Sequence, residues 1–168
     1  MGVGIGMIAA PVLAVADPAF VPVAILIAVL PLSVSVAWAD RAHIERRGVV
    51  VALIGRVPGI VAGAWVAASL SDTVIALLVA VSVLFAVVVS LTTRRFRTTT
   101  SSLMLAGMAS GFTGTTTGVG GPPMALTYQH QDPAIIRSTL SAFFTIGSLL
   151  SLLALGIAGD LTRHQWQF

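Results

Sequence analysis

Residues 111–137 read GFTGTTTGVGGPPMALTYQHQDPAIIR and sit in an otherwise strongly apolar chain. Within them, Gly114–Pro123 holds four Gly, two Pro and three Thr. Glycine and proline are the poorest residues for a helix interior, so a regular helix cannot run through this stretch. Its flanks, Ser102–Phe112 and Ala134–Ile157, are nevertheless as hydrophobic as membrane spans. Irregular backbone at membrane depth survives only where protein buries it or where it lines a wet cavity. Broken helices in that setting build the binding sites of transporters. The stretch therefore predicts a small-molecule pathway through a helical membrane protein.

Composition agrees. Of 168 residues, 57% are hydrophobic and 9% charged, against about 25% charged in a soluble domain. Such a chain cannot cover a water-facing surface, and the lipid bilayer is its expected surroundings. There is no cysteine, which excludes disulfides and thiolate metal sites. All nine basic residues are arginine. The high pI, about 11.1, would fit a nucleic-acid binder, but the arginines gather in two short loops between apolar runs, so no nucleic acid is expected. No basic segment precedes the first apolar run, and no cleaved signal peptide is expected.

A span needs about 20 apolar residues. Gly2–Ala16 is apolar but short; Ala19–Ala39, Val49–Leu70, Thr73–Thr92 and Ala134–Ala158 are spans, and Ser102–Tyr128 is the broken segment. The loop Asp40–Arg47 carries Arg41, Arg46 and Arg47, and the loop Thr93–Thr100 carries Arg94, Arg95 and Arg97. The positive-inside rule puts both loops in the cytoplasm. The broken segment either crosses fully, placing Gln129–Pro133 outside, or dips in and returns, inverting all that follows; a full crossing is the favoured expectation. Trp38 and Trp166 fall at span ends, as interfacial aromatics do.

An internal repeat is suggested. Gly4-Ile5-Gly6 resembles Gly118-Val119-Gly120, and each is followed by an Asp-Pro-Ala helix start, at Asp17 and Asp132. Asp caps the first-turn amides, and Pro at the first helical position loses no hydrogen bond. The expected architecture is an all-α polytopic helix bundle with two glycine-broken segments. Residues 1–92 would form a first repeat of four helices, 93–100 an Arg-rich cytoplasmic loop, and 101–168 a partial second repeat.

Several residues could contact a ligand. The glycines 118, 120 and 121, with Pro122, let backbone amides approach an anion at a half-helix N-terminus. Thr115, Thr116 and Thr117 add hydroxyls, and Gly4 and Gly6 would form the matching break. The bland alternative is a packing hinge. Arg137 could fork onto an oxyanion, or else snorkel or pair with Asp132. Arg56 lies within an apolar span, where an ionisable group is by default functional, although it could snorkel back to the interface. Gly55, Gly59 and Gly63 form a small-residue row that lets a neighbouring helix pack closely. The histidines 43, 130 and 164 lie in loops without metal-ligand spacing. No cofactor or metal is expected, and no nucleophile–base pairing or phosphate-binding loop marks an enzyme.

Residues 107–159 resemble the second half of the TauE/SafE family of sulfite exporters. The match is carried by Ser110-Gly111-Phe112, Gly114, Gly118-Val119-Gly120-Gly121-Pro122-Pro123, Tyr128, Arg137-Ser138-Thr139, Phe143-Phe144 and the helix end at Ala158–Thr162. Gly4, Gly6, Pro11, the loop His43–Arg47 and the glycines 55, 59 and 63 fit the first half more loosely. The resemblance implies a permease of about eight spans in two repeats, carrying a small anion such as sulfite, a sulfonate or a short carboxylate across a bacterial plasma membrane. The second repeat lacks counterparts of residues 49–92. Either the chain is truncated, or it homo-oligomerises or meets a partner that supplies helices; an accessory or channel-like subunit of a hetero-oligomer is the alternative reading.

Overall fold

The computed structural model describes residues 22–69, 71–92 and 98–159. Gly4, Gly6, Pro11 and Asp17 lie outside them, as does Trp166. The described residues are all-helical: α1 (Val23–Ala39), a 3-10 turn (Arg41–His43), α2 (Arg46–Ser69), α3 (Asp72–Thr92), α4 (Thr100–Thr117), α5 (Gly121–Tyr128) and α6 (Pro133–Ile157). The α2 and α6 helices are long and apolar enough to cross a membrane, and α1 is a shorter apolar helix. Two starts follow directly from local sequence. Thr99 and Ser102 form a reciprocal capping box at α4. Asp132 Oδ1 accepts from the Ala134 amide at 2.8 Å, with Pro133 in the first turn of α6, as its sequence predicts.

Small residues hold the centre together. On α2, Gly55, Gly59 and Gly63 face the backbones of Met104, Met108 and Phe112. In return, Gly107 and Gly111 of α4 face Ala52 and Arg56. The numbering rises together on both helices, so α2 and α4 run parallel. A methyl group at Gly55 or Gly107 would land on a carbonyl oxygen of the opposite helix. Without a hydrophobic drive in lipid, such close backbone approach is what holds helices together. The opposite face of α2 carries Ile54, Val57, Val61 and Trp65, all exposed. Large apolar groups outside and small or polar ones inside is the pattern of a chain solvated by lipid. Trp38, with Arg41 stacked 5.2 Å from its ring centroid, lies near one end of the bundle, and Trp65 near the other.

The broken segment does not cross. Gly118 caps α4 at φ 74°, in the left-handed region, and the chain turns back so that Gly120 lies against Gly114 and Ser110. The α5 helix then runs down beside α4 until Thr98 Oγ1 donates to the Thr127 carbonyl at 2.7 Å. The segment thus returns to the end from which it came, which overturns the favoured expectation of a full crossing. The return is short because Gly120 rests against Ser110 and Gly114, about 15–21 Å from the start of α4, a distance that the roughly 12 Å of α5 nearly retraces. Three further contacts gather at that same end. Arg137 meets Asp40, the Glu45 amide donates to Thr139 Oγ1, and Tyr128 packs on Gly48. Gln129–Pro133 therefore shares an end with the loop Asp40–Arg47, and α6 runs away from it, antiparallel to α1.

Candidate functional site

Arg56 lies ten residues beyond the start of α2 at Arg46, about 15 Å into the helix. Its side chain does not snorkel; the residue is 1% exposed. Two neighbouring helices, α4 and α6, enclose it. Gly111 of α4 lies against its aliphatic stem, Gly147 of α6 against its Nε, and Gly114 near one terminal nitrogen. Phe143 of α6 offers its ring face 4.7 Å from the guanidinium carbon. The other terminal nitrogen donates to Ser110 Oγ at 3.1 Å. Ser110 in turn donates to the Gly120 carbonyl, in the break, at 2.5 Å. The three glycines leave the guanidinium the room that any side chain would fill.

Among the described residues, nothing of opposite charge balances Arg56. No carboxylate among the described residues pairs with it, and its buried Nε has no hydrogen-bond partner. A cation withdrawn from water costs several kcal/mol unless an anion or full hydrogen bonding compensates. One cation–π contact and one neutral hydroxyl leave that cost largely unmet. The Nε edge of a guanidinium is also one side of the fork that grips two oxygens of a planar or pyramidal oxyanion. The arrangement is chemically that of an anion receptor.

The surroundings are asymmetric. Toward the Arg-rich end, Arg56 meets an apolar plug of Phe143, Met124, Leu140, Ala52, Ala106, Leu103 and Tyr128. Toward the other end the interior carries hydroxyls: Thr115 Oγ1 lies 2.9 Å from Ser151 Oγ, and Ser148 is also buried.

The other sequence-chosen residues divide sharply. Gly118, Gly120, Gly121 and Pro122 form the turn beside Arg56 and the first turn of α5. Pro122 and Pro123 have no N–H, which leaves that turn fewer amides than an ordinary helix start. Thr116 and Thr117 return their hydroxyl protons to Phe112 and Thr113 carbonyls, Thr117 Oγ1 accepts from the Val119 amide, and Thr115 pairs instead with Ser151 of α6. Arg137 is not brought to the break. It is 51% exposed and binds Asp40 Oδ2 through Nε and a terminal nitrogen, both at 2.7 Å, where Asp132 was the partner weighed from sequence. It borders a separate, mainly apolar cavity of about 350 Å³ between α1, α5 and α6. His43 and His130 are exposed. Ser110, Phe143 and Gly147 are the site residues that sequence reasoning passed over. Gly147, in the middle of the apolar run of α6, was the available signal.

A re-entrant half-helix beside a buried cation that no described carboxylate balances, inside an apolar helix bundle, is the architecture of a membrane transport protein. The family model described as Sulfite exporter TauE/SafE matches residues 1–167. The chain belongs to that family, whose members are transporters and not enzymes. No curated protein and no solved structure matches it.

Proposed function

We propose that this protein is a permease for a small oxyanion, sulfite or a sulfonate before others, exported across a bacterial plasma membrane. The observation that carries the reading is the buried Arg56 guanidinium beside the break, with no counter-ion and no partner for its Nε among the described residues. The transported anion is its missing partner. The anion contacts Nε of Arg56 and the amides of Gly120 and Gly121, with Thr115, Thr116 and Thr117 completing its shell once their hydroxyls rotate from Ser151 and from the helix carbonyls. Gly118 and Pro122 shape the turn. Arg137 serves the Arg-rich face, which lies in the cytoplasm by the positive-inside rule. The sequence has no nucleotide-binding motif, so transport runs down a gradient or is coupled to an ion.

Efflux of labelled sulfite from cells making the full chain tests this. Efflux above vector that vanishes in Arg56→Met, with membrane insertion unchanged, is the expected result. Equal efflux from the variant would overturn the assignment.

A further inference from the structure

The Ser110 hydroxyl has one proton and stands between two groups that both matter. It gives the proton to the Gly120 carbonyl and accepts from Arg56. It is wholly buried, so no water competes for either bond. Through this one oxygen the guanidinium on α2 is tied to the backbone of the break. The α5 helix hangs between two such ties, Ser110 to Gly120 before its first residue and Thr98 to Thr127 at its last turn. Met124 and Tyr128, both fully buried, are what α5 contributes to the plug between Arg56 and the Arg-rich end. At the break, Gly118 is in the left-handed region, and Gly114 and Gly120 meet with no side chain between them.

We propose that Ser110 is the positioning residue that couples occupancy of Arg56 to release of α5, the gate between the site and the Arg-rich end. The inference rests on the reading of Arg56 as an anion receptor. An oxyanion is a stronger acceptor than either a neutral hydroxyl or an amide carbonyl, because its hydrogen bonds are charge-assisted. When it arrives, the guanidinium turns its N–H groups to it. Ser110 then gives its proton to the anion in place of the Gly120 carbonyl. The upper tie of α5 opens, and the half-helix can leave the plug. With no anion bound, Ser110 holds Gly120 and the gate stays shut, which prevents leakage.

Amide hydrogen exchange across residues 119–128 of the purified full chain, with and without sulfite, tests this alongside equilibrium binding of labelled sulfite. In the unmodified protein, sulfite should raise exchange in α5 by about tenfold or more, the signature of an opened local unit. Ser110→Ala should bind sulfite more weakly, having lost the hydroxyl that reaches the anion, and at saturating sulfite should show fast exchange that sulfite no longer changes. Thr98→Val cuts the other tie, so it should also raise basal exchange yet keep the sulfite response. That contrast separates coupling from simple loosening. A sulfite response surviving in Ser110→Ala, or none in a protein that binds sulfite, overturns the coupling while leaving the anion site intact. Binding that persists unchanged in Arg56→Met, or no binding at all, overturns the anion-site reading and the coupling with it.

Discussion

Arg56 and Arg137 are the two arginines embedded in apolar helices of the described chain, and they have opposite fates. Arg137 sits one turn into α6, half exposed, with its charge met by Asp40. Arg56 sits in mid-helix, fully enclosed, with its charge met by a phenyl face and a serine. Sequence alone rates them as similar candidates, since both are arginines near a glycine-rich element. The difference lies in the second partner. An exposed cation with a carboxylate at hand is an interfacial fixture. A buried cation denied one is held in a costly state that a ligand relieves.

The largest expected effect is at Arg56. Arg56→Met keeps an unbranched apolar stem as far as the Nε position and removes the charged group. Efflux of sulfite should fall at least about 30-fold, the lower end for losing a buried charge contact. Thermal stability should move the other way, up by about 1–4 kcal/mol, because an uncompensated buried charge is replaced by a hydrophobe. Transport lost together with stability would mean that Arg56 is structural and that the contrast with Arg137 has been drawn in the wrong place.

Next in size is Gly147→Ala. The added methyl would overlap Arg56 Nε, the unpartnered edge. Overpacking a filled interior costs about 1–3 kcal/mol, and here the guanidinium must yield or α6 must shift. Sulfite affinity should drop about tenfold for that energy, measured by equilibrium binding, while the oligomer profile and insertion stay as they were. Unaltered affinity would show that the Nε edge is not where the anion docks.

The break itself comes third. Gly118→Ala places a side chain in the left-handed region, worth about 1–2 kcal/mol. Its methyl would also come 2.8 Å from Ile25 Cδ1 of α1. Thermal unfolding in detergent should show that loss. If Gly118→Ala costs nothing, the turn is not the fixed hinge that presents Gly120 to Ser110.

How much of this could be read in advance depends on the range of the interaction. The helices follow from runs of apolar residues, and the break follows from the glycines and prolines of 114–123, because both signals are local. The α6 start at Asp132-Pro133 is local too, and the structure caps it as expected. The direction of α5 was not legible. Twenty-seven residues suffice either to cross or to return, and the contact that decides it, Thr98 with Thr127, joins residues 29 apart. The sequence left open whether Arg56 snorkels, for a related reason: its enclosure is made by Gly111 and Gly114 of α4 and Phe143 and Gly147 of α6, far away along the chain. Ser110, Phe143 and Gly147 were invisible as a set, since nothing in one helix's sequence announces which side chain of another it will meet. Glycine rows proved the better guide: 55, 59 and 63 foretold a close neighbour, and that neighbour is α4.

The smallest expected effect completes the comparison and is the one most able to break it. The Arg137–Asp40 pair is a surface ion pair, and such pairs contribute about 0–1 kcal/mol. A double-mutant cycle of Arg137→Ala and Asp40→Ala should return a coupling within that range, shrinking as salt is raised, since exposed charges are screened over about 10 Å at 0.1 M. Sulfite efflux from Arg137→Ala should stay within about twofold of the parent, as expected when no buried contact is removed. A tenfold fall in efflux, with the stability coupling still small, would say that Arg137 handles the anion itself. The apolar cavity of about 350 Å³ beside it would then become part of the route, and Arg56 would be one of two stations. An unchanged efflux leaves Arg137 with a fixed task at the Arg-rich face, holding the start of α6 to the end of α1 while the anion passes through the interior that Arg56 occupies.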